Sequence, residues 1–350
     1  MSKITREEFS KQFLRFIRKY DRFLLSGHIR PDGDSVGSCF SLAYALQDMG
    51  KEAIVCLDGD AERYLELIDQ VPLLPDDIHM NEAGRCFTTG SGFAFIMLDC
   101  SEPERTGRAQ DAILYTQASM TVDHHITSKE SADFNYAEPE SSSASEILYH
   151  LLNLCEIPIS QRMAQALFMG MAFDTGGLRH SCTSEETLLM AADLKKKGAD
   201  TTFLMNRLFH TKKLSEMKAL SCAIRSSRLY KGKNQQDEEN NILISFLSLE
   251  EMRQSGFGPS DADGVVGYLN EIADAETAIF LREITPGIIR ANMRSKSTVD
   301  VARVAALFGG GGHIRAAGCT FQDPVLLVKK ELLDAIRRQL SSLDSEETSE

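Results

Sequence analysis

Three apolar segments of strand length run directly into groups of acidic and histidine side chains. This arrangement restricts the fold more than any other feature of the sequence. The segments and the polar residues that follow them are 22–27 before His28, Asp32 and Asp34, 93–99 ending in Asp99, and 118–125 ending in Asp123, His124 and His125. In an open parallel sheet, ligands gather outside the carboxyl ends of the strands. We therefore expect these side chains, which are distant in sequence, to converge at one edge of a sheet.

Helical patterns separate the apolar segments. Residues 35–49 follow a helical spacing of apolar residues that stops at Gly50, and further helices are expected at 143–155 and 161–173. Another short strand is expected at 53–57. Strands that alternate with helices predict an α/β domain of three layers with a mostly parallel sheet.

The chain has 350 residues, which is long enough for two domains with separate cores. The segments "ILISFLSL", "TAIFLREI" and "GIIRANMRS" indicate strands of a second α/β domain. We predict a first domain at 1–190, a helical linker at 191–225, a smaller α/β domain at 226–342 and an acidic tail at 343–350. The active site is expected in the cleft between the two domains.

Charge and composition exclude several classes of protein. The formal net charge of −13 argues against broad electrostatic binding to long duplex nucleic acid, which needs a basic surface. No apolar run approaches the ~20 residues that a membrane span needs. The first 19 residues resemble an amphipathic helix rather than a secretory signal. Eight cysteines without a C-x-x-C pair indicate reduced thiols in a cytoplasmic protein.

Bound cations best explain the converging acidic residues. Asp174, in "MGMAFDTGGLRHS", adds a further acidic position before two glycines. Carboxylates packed this closely repel each other unless positive charge lies among them. Two divalent cations about 3.5–4 Å apart would supply that charge and would activate water for attack on phosphorus. Carboxylates with one imidazole per ion suit Mn²⁺, Fe²⁺ or Co²⁺, whereas Zn²⁺ sites usually hold more nitrogen or sulfur ligands.

A glycine-rich segment in the second half predicts an anion site. In "GGGGHIRAAG", residues 309–318, four glycines allow the backbone to approach a ligand closely and to direct N–H groups at it. The alternative is that the glycines only form a tight connection between a helix and a strand. The surrounding stretch holds one acid, Asp300, and five basic residues, Arg290, Arg294, Lys296, Arg303 and Arg315. This local basic patch fits a phosphate group.

Together these motifs resemble the DHH phosphoesterase family with its DHH-associated C-terminal domain, over most of the chain. "HIRPDGDSVGS" resembles the first motif of the family, Asp99 the second, "DHH" at 123–125 the motif that names it, and Asp174 the fourth. "RSK" at 294–296 and "GGGGHIRAAG" resemble the C-terminal domain. Ser35 stands where alanine is commoner, which is a mild departure.

The resemblance implies a role for each matching residue. One Mn²⁺ would be held by His28, Asp32 and Asp99, and the other by Asp34, Asp99, His124 and Asp174. Co²⁺, Fe²⁺ or Mg²⁺ are alternative ions. Asp123 would orient His124, and His125 would face the substrate phosphate as a catalytic donor or acid. The far end of the substrate would be bound by Arg294, Ser295, Gly311, Gly312 and His313.

Within the family, the compact two-domain form resembles the bacterial oligoribonucleases that also dephosphorylate 3′-phosphoadenosine 5′-phosphate (pAp). This implies hydrolysis of short oligoribonucleotides to mononucleotides and of pAp to AMP. The branch that hydrolyses cyclic di-AMP or pApA is the alternative, and a non-catalytic nucleotide-binding regulator is a further one. The expected partners are short RNA or a small nucleotide, without long duplex nucleic acid or a membrane. The preferred substrate, the polarity of attack on RNA and a homodimeric state are left open.

Overall fold

A computed structural model describes residues 4–88, 90, 92–232 and 239–342. The chain divides into two compact units, Met1–Thr211 and Lys212–Glu350. The boundary between them falls inside the segment 191–225, which was predicted as a helical linker. Residues 233–238 of the polar segment after Lys231, and the predicted acidic tail, lie outside the described residues. Within the part of the chain that is described, no helix has both the length and the apolar character needed to cross a membrane.

The first unit is built around a five-stranded parallel sheet. Its strands are β1 (Arg22–Ser26), β2 (Glu52–Cys56), β3 (Ala94–Leu98), β4 (Ser119–Asp123) and β5 (Phe134–Ala137). The strand order is β2-β1-β3-β4-β5, and every neighbouring pair is parallel. The predicted α/β class and parallel sheet are confirmed. Strand β5 was not predicted, because "FNYA" is short and mostly half-buried rather than a continuous apolar run.

Helices pack on this sheet. They are α1 (Arg6–Lys19), α2 (Gly33–Asp48), α3 (Glu62–Leu65), α4 (Ala112–Tyr115), α5 (Ala144–Leu154), α6 (Gln161–Asp174), α7 (Glu185–Lys196) and α8 (Thr201–Met205). Successive strand residues point to opposite faces. Leu25 and Ile96 join the core formed with α1, α2, α5 and α6, whereas Leu24 and Phe95 join a smaller core that includes Ala112. The sheet is therefore buried on both sides, as a three-layer domain requires.

Helices α2 and α6 pack backbone against backbone. A Cβ atom at Gly37 would lie 2.5 Å from the carbonyl oxygen of Ala166, and one at Gly170 would lie 2.6 Å from Asp34 Oδ1. Both separations are too short for a side chain, so glycine is required where the two helices touch. The contact matters for the site because α2 starts beside Asp34 and α6 ends at Asp174.

The second unit contains a six-stranded mixed sheet. Its strands are β6 (Arg228–Tyr230), β7 (Ile242–Leu247), β8 (Thr277–Thr285), β9 (Ile288–Ser295), β10 (Gly311–His313) and β11 (Ala316–Phe321). The order is β10-β11-β9-β8-β7-β6, and all neighbouring pairs are antiparallel except β7 with β8. The second, smaller α/β domain is thereby confirmed.

Helices lie on both faces of the second sheet. They are α9 (Leu214–Ser226), α10 (Leu249–Ser255), α11 (Val265–Asn270), α12 (Val301–Ala306) and α13 (Val325–Ser342). Residues of α12 and α13 form one core with the sheet, and residues of α9, α10 and α11 form another with β7 and β8. Of the segment predicted as a linker, α8 belongs to the first unit and α9 to the second.

Candidate metal centre

The carboxyl ends of β1, β3 and β4 lie at one edge of the first sheet. The register pairs Ser26 with Met97 and Leu98 with Val122, so the chain leaves the sheet at neighbouring points after these strands. The predicted site residues brought together at this edge are His28, Asp32, Asp34, Asp99, Asp123, His124, His125 and Asp174. The convergence expected from the sequence is thus seen in the fold.

Two groups of ligand atoms meet at Asp99. In the first group, His28 Nε2 lies 3.2 Å from Asp99 Oδ2 and 3.5 Å from Asp32 Oδ2. In the second, His124 Nε2 lies 3.4 Å from Asp99 Oδ1 and 3.2 Å from Asp174 Oδ2. Two ligand atoms that bind one ion at about 2.1 Å are themselves about 3 Å apart. These separations therefore suit side chains that share a cation.

Asp34 completes the second group and is held by the start of α5. Its carboxylate is fully buried; Oδ2 accepts the N–H of Ala144 at 2.7 Å and Oδ1 accepts that of Ser145 at 2.9 Å. The partial positive charge of a helix N-terminus favours a carboxylate at this position. Burial, together with the charge of Asp99, nevertheless raises the pKa of Asp34 to about 7. The described residues thus supply too little positive charge for all of these carboxylates.

Asp99 is the residue that both groups share. Its backbone has a φ of 57°, a left-handed conformation that Asp and Asn adopt more readily than most residues. Its side chain is buried, and Oδ1 accepts no hydrogen bond of normal geometry from the described residues. Burial alone would raise the pKa of this carboxyl, but the imidazoles of His124 and His28 outweigh burial and hold it well below its ordinary value. An ionised carboxylate between two ligand groups is suited to bridge two cations.

The two histidines supply positive charge to the cluster. Burial alone would lower the pKa of His28, but hydrogen bonds to Asp32 and Asp99 raise it to about 11. Burial alone would also lower the pKa of His124, but the hydrogen bond and charge of Asp99 outweigh burial and raise it to about 10. Without a bound cation, both imidazoles are therefore protonated at neutral pH. Since a ligating imidazole must be neutral, a cation would replace these protons. A set of carboxylate oxygens and imidazole nitrogens without sulfur fits a hard or borderline divalent cation.

Asp123 holds the turn that carries the two neighbouring histidines. Its Oδ1 accepts the backbone N–H groups of His124 at 2.9 Å and His125 at 3.2 Å, and it lies 2.7 Å from His125 Nδ1. Asp123 was expected to orient His124, and it contacts that residue through the backbone N–H. The contact of Asp123 with the ring of His125 was not predicted, because two adjacent imidazoles cannot be told apart by sequence alone.

A histidine–glutamate group outside the Asp99 site was not predicted. His150 Nε2 lies 3.9 Å from Glu146 Oε1 and 3.4 Å from Glu186 Oε2, and Arg6 lies 3.1 Å from the same Glu186 oxygen. The spacing of four residues between Glu146 and His150 on one helix was the available signal. Because Arg6 pairs with Glu186 as well as with Glu138, we interpret this group as an ion-pair network that joins α1, α5 and α7.

In the second unit, Arg294 and His313 belong to neighbouring parts of one sheet. Ala316 on β11 lies opposite Arg294 on one side and opposite His313 on the other. Ser295 does not share this surface. Its side chain is buried, and its hydroxyl donates to the carbonyl of Val299 at 2.6 Å. Arg294 and Ser295 face opposite sides, as consecutive residues of a strand do. That Ser295 binds substrate beside Arg294 stays a prediction.

The basic patch predicted around Arg290 and Arg294 is divided in the structure. Lys296 Nζ donates to the carbonyl of Ile272 at 2.7 Å, and Arg315 Nη1 donates to a backbone carbonyl at 3.0 Å. Arg303 Nε lies 3.5 Å from the carboxylate of Asp300, three residues earlier in the chain. The unpaired cationic side chains of the patch are therefore fewer than the sequence indicates.

The four glycines at 309–312 have different structural roles. Gly309 and Gly312 have positive φ values of 68° and 145°, which favour glycine. A Cβ atom at Gly310 would lie 2.3 Å from the carbonyl oxygen of Gly318, and one at Gly312 would lie 2.3 Å from that of Ala316. A Cβ atom at Gly311 would meet nothing within 4 Å. Backbone conformation or close contact accounts for Gly309, Gly310 and Gly312. Gly309 and Gly311 both have open space beside them, but of these two only Gly311 lacks the positive φ that favours glycine.

The sequence matches the DHH family, N-terminal domain, over residues 22–171 and the DHHA1 domain over residues 239–342. The chain is a two-domain DHH–DHHA1 protein. The family resemblance expected from the motifs is therefore confirmed. The DHH match covers β1 to β5 and most of α6, and so contains the Asp99 site except for Asp174. The DHHA1 match contains Arg294 and the glycine-rich strand β10.

Similar proteins are known from several bacteria. The chain is 24% identical over 319 residues to the bifunctional oligoribonuclease and PAP phosphatase NrnA of Thermus thermophilus, covering 91% of this chain and 90% of that protein. It is 27% identical over 314 residues to the NrnA of Bacillus subtilis, covering 88% and 92%. Its fold is similar to the crystal structure of an exopolyphosphatase-related protein from Bacteroides fragilis, with a TM-score of 0.83, 23% identity and coverage of 95% and 96%.

Proposed function

We propose that this DHH–DHHA1 protein is a phosphoesterase dependent on divalent cations. It hydrolyses short oligoribonucleotides to mononucleotides and pAp to AMP. The observation that carries the proposal is the buried carboxylate of Asp99 between two groups of carboxylate and imidazole ligands. The names of the Thermus and Bacillus relatives, which span most of both chains, support the choice of substrates.

Each residue of the site has a distinct task under this proposal. Two divalent cations would make water acidic enough to attack phosphorus near neutral pH and would stabilise the charge that develops there. Asp99 would bridge them, and Asp34 and Asp174 would fix the position of the second group. His125 is proposed to face the phosphate, since Asp123 fixes its ring and 24% of its side chain is exposed.

The proposed ions are Mn²⁺, with Co²⁺, Fe²⁺ and Mg²⁺ as the alternatives. Mn²⁺ is supported by the mixture of several carboxylate oxygens with one imidazole in each group. A zinc site would be expected to hold more nitrogen or sulfur ligands. We also propose the cytoplasm as the compartment, because all eight cysteines are free thiols.

Arg294 and His313 of the second unit are proposed to bind the far end of the substrate. Burial lowers the pKa of Arg294, and no carboxylate among the described residues is paired with it. A partly buried cation of this kind favours an anionic ligand. That the two units act on one substrate molecule in a shared cleft stays a prediction, as does the oligomeric state.

Substituting the bridging carboxylate is the sharpest test of the proposal. Asp99→Asn keeps the shape and the left-handed backbone but removes the charge. We expect a loss of activity larger than the 10–100-fold, roughly, that follows loss of a group hydrogen-bonded to a metal ligand. Asp76→Asn is the matched control, because the Asp76 side chain is 99% exposed. Full activity of Asp99→Asn, or of the metal-stripped enzyme, would refute the proposal.

The substrate is tested with a panel. The purified protein with Mn²⁺ is assayed on pAp, pApA, cyclic di-AMP and RNAs from dinucleotides to long oligomers. We expect the shortest RNAs and pAp to have the highest kcat/KM, because a chain of net charge −13 has few places for additional phosphates. A marked preference for cyclic di-AMP or pApA would favour the alternative branch. Equal kcat/KM across RNA lengths would indicate an open exonuclease groove.

A further inference from the structure

The outer half of the second sheet has a face that helices α9, α10 and α11 leave open. The core formed with those helices contains residues of β7 and β8, including Ala278 and Phe280, but none of β9, β10 or β11. Side chains on the same face of the outer strands are half-buried or exposed. We call this surface the open face. It consists of Arg290, Asn292 and Arg294 on β9, Ala316, Gly318 and Thr320 on β11, and Gly311 and His313 on β10.

The open face presents two arginines whose charges have no acidic partner among the described residues. Arg290 Nη1 donates to Thr320 Oγ1 at 3.2 Å, and Arg294 Nη1 donates to a backbone carbonyl of its own strand at 3.2 Å. By contrast, Arg282, which lies opposite Arg290 on β8, is paired with Asp263. Cations without a counter-ion in a chain of net negative charge favour an anionic ligand.

Glycine keeps the centre of the open face flat. Gly311 and Gly318 lie opposite each other on β10 and β11. The Arg290 guanidinium extends over this region, since its Nη2 lies 3.1 Å from the position a Cβ atom would take at Gly318. The Arg290 side chain therefore extends along the sheet toward Gly318, which lies opposite Asn292. The neighbouring pair on the same face is Arg294 and Ala316.

Asn292 lies between the two arginines on β9. Its Oδ1 is buried and accepts no hydrogen bond from the residues that the structure describes. A buried acceptor without a donor is costly. A turn of the half-buried Asn292 side chain toward the open face would let this oxygen accept a hydrogen bond from a ribose hydroxyl group of a nucleotide. The cations and this acceptor therefore alternate along one strand, at a spacing of about 6.7 Å from each residue to the next on the same face.

From this arrangement we infer that Arg290 and Asn292 form a second nucleotide subsite. Arg290 binds a backbone phosphate and Asn292 accepts a hydrogen bond from the sugar. The inference rests on the proposed function and extends it, because a second subsite makes the protein prefer oligonucleotides to mononucleotides. The side chains of Arg290 and Arg294 start about 13 Å apart along the strand, so they contact different phosphates of one ligand.

The test compares ligands with one phosphate and with several. Binding of a fluorescent, phosphorothioate-linked trinucleotide that resists cleavage is measured by anisotropy, and AMP is measured by competition. Arg290→Ala is expected to weaken trinucleotide binding roughly tenfold and to leave AMP binding nearly unchanged. The slope of log K against log salt concentration should fall by about 0.7, as for the loss of one phosphate contact to a single strand. Arg290→Lys should recover part of the affinity.

Arg338→Ala is the matched control, because Arg338 is exposed on α13 and α13 packs on the opposite face of the sheet. Arg290 lies opposite another arginine on β8, so its removal should not lower the melting temperature. Equal losses for AMP and trinucleotide, an unchanged salt slope, or the same effect from Arg338→Ala would overturn the inference.

Hydrolysis by the wild-type protein is measured separately with Mn²⁺. If the protein binds the trinucleotide through Arg290 but cleaves no phosphodiester, the subsite stands and the proposed function fails. If the protein cleaves the unmodified trinucleotide but binding does not depend on Arg290, the proposed function stands and the subsite is wrong. The two proposals therefore fail in different experiments.

Discussion

Metal binding should release protons from this site. The hydrogen bonds of its histidines indicate how many protons are released. Carboxylates raise the pKa of His28 to about 11 and that of His124 to about 10. Both imidazoles are then protonated at pH 7, and both must lose the proton to bind an ion. The raised pKa values of Asp34 and Asp174 add a further release that declines as the pH rises. We therefore expect the release of at least two protons when two ions bind.

The size of the pH dependence of metal binding follows from the linkage between proton release and metal binding. Each proton released makes the apparent association constant rise tenfold per pH unit, as long as the pH stays below the pKa of the group. Between about pH 6 and pH 8, the product of the two binding constants should rise by about 10⁴ or more. This corresponds to about 5.5 kcal/mol at about 1.4 kcal/mol per decade. The effect should level off above the pKa values of the two imidazoles.

Calorimetric titration with Mn²⁺ measures this number directly. The metal-stripped protein is titrated at one pH in two buffers that have different ionisation enthalpies, and the difference in observed heat gives the protons released. His150→Gln is the control, because it removes a histidine from the separate ion-pair network and should leave the count unchanged. Release of less than one proton would refute the reasoning, since the imidazoles would then be neutral before the metal binds.

Three further outcomes are expected. Asp123→Asn should lower kcat by roughly 10–100-fold while metal content by elemental analysis stays at the wild-type level, because the substitution disturbs the ring of His125 rather than a ligand; loss of metal would contradict this. Gly311→Ala should keep the melting temperature of the wild type but bind nucleotide more weakly. Gly312→Ala should lower the melting temperature, because only the Cβ atom at position 312 meets backbone atoms. Equal melting temperatures of the two variants would contradict these different roles of the two glycines. Glu146→Gln should reduce the loss of stability in acid. Burial alone would raise the pKa of Glu146, but the nearby His150 and the hydrogen bonds donated by Ser142 and Thr187 outweigh burial and hold this pKa below its ordinary 4.5. The stabilising contribution of ionised Glu146 is therefore present above that pH and is lost as the pH falls toward the depressed pKa. Acid unfolding curves of equal midpoint would argue against this role.

The sequence predicted the edge of the sheet where the acidic residues meet because each group follows a buried strand. Apolar runs such as "FAFIMLD" indicate the strand, and the residue after the run marks its carboxyl end. The pattern could not indicate how side chains pair within the cluster. The hydrogen bond between Asp123 and the ring of His125 depends on a turn of three residues, and no periodicity describes it.

The second unit was harder to predict, because its function depends on which face of a strand each residue occupies. The motif "RSK" suggested that Arg294 and Ser295 act together, but they lie on opposite faces of β9. The glycine-rich segment was treated as one motif, although of its four glycines only Gly311 has neither a positive φ nor a close contact that would require glycine. The subsite of Arg290 and Asn292 needed the pairing of three strands, and that pairing is a long-range property of the fold.

The close contact between α2 and α6 limits how far apart the backbones at Asp34 and Asp174 can move. Asp34 is fixed both by the N–H groups of α5 and by the helix contact at Gly170, and Asp174 lies at the end of the same helix as Gly170. The backbones that carry Asp34 and Asp174 cannot move apart unless α2 and α6, which touch through glycine, separate as well. Ca²⁺ needs six to eight oxygen atoms at about 2.3–2.6 Å and flexible ligands to supply them. If the proposed ligands hold the ions, we therefore expect a smaller ion that accepts fewer ligands to bind more tightly than Ca²⁺, because of the stiffness of the helix pair rather than the chemistry of the carboxylates.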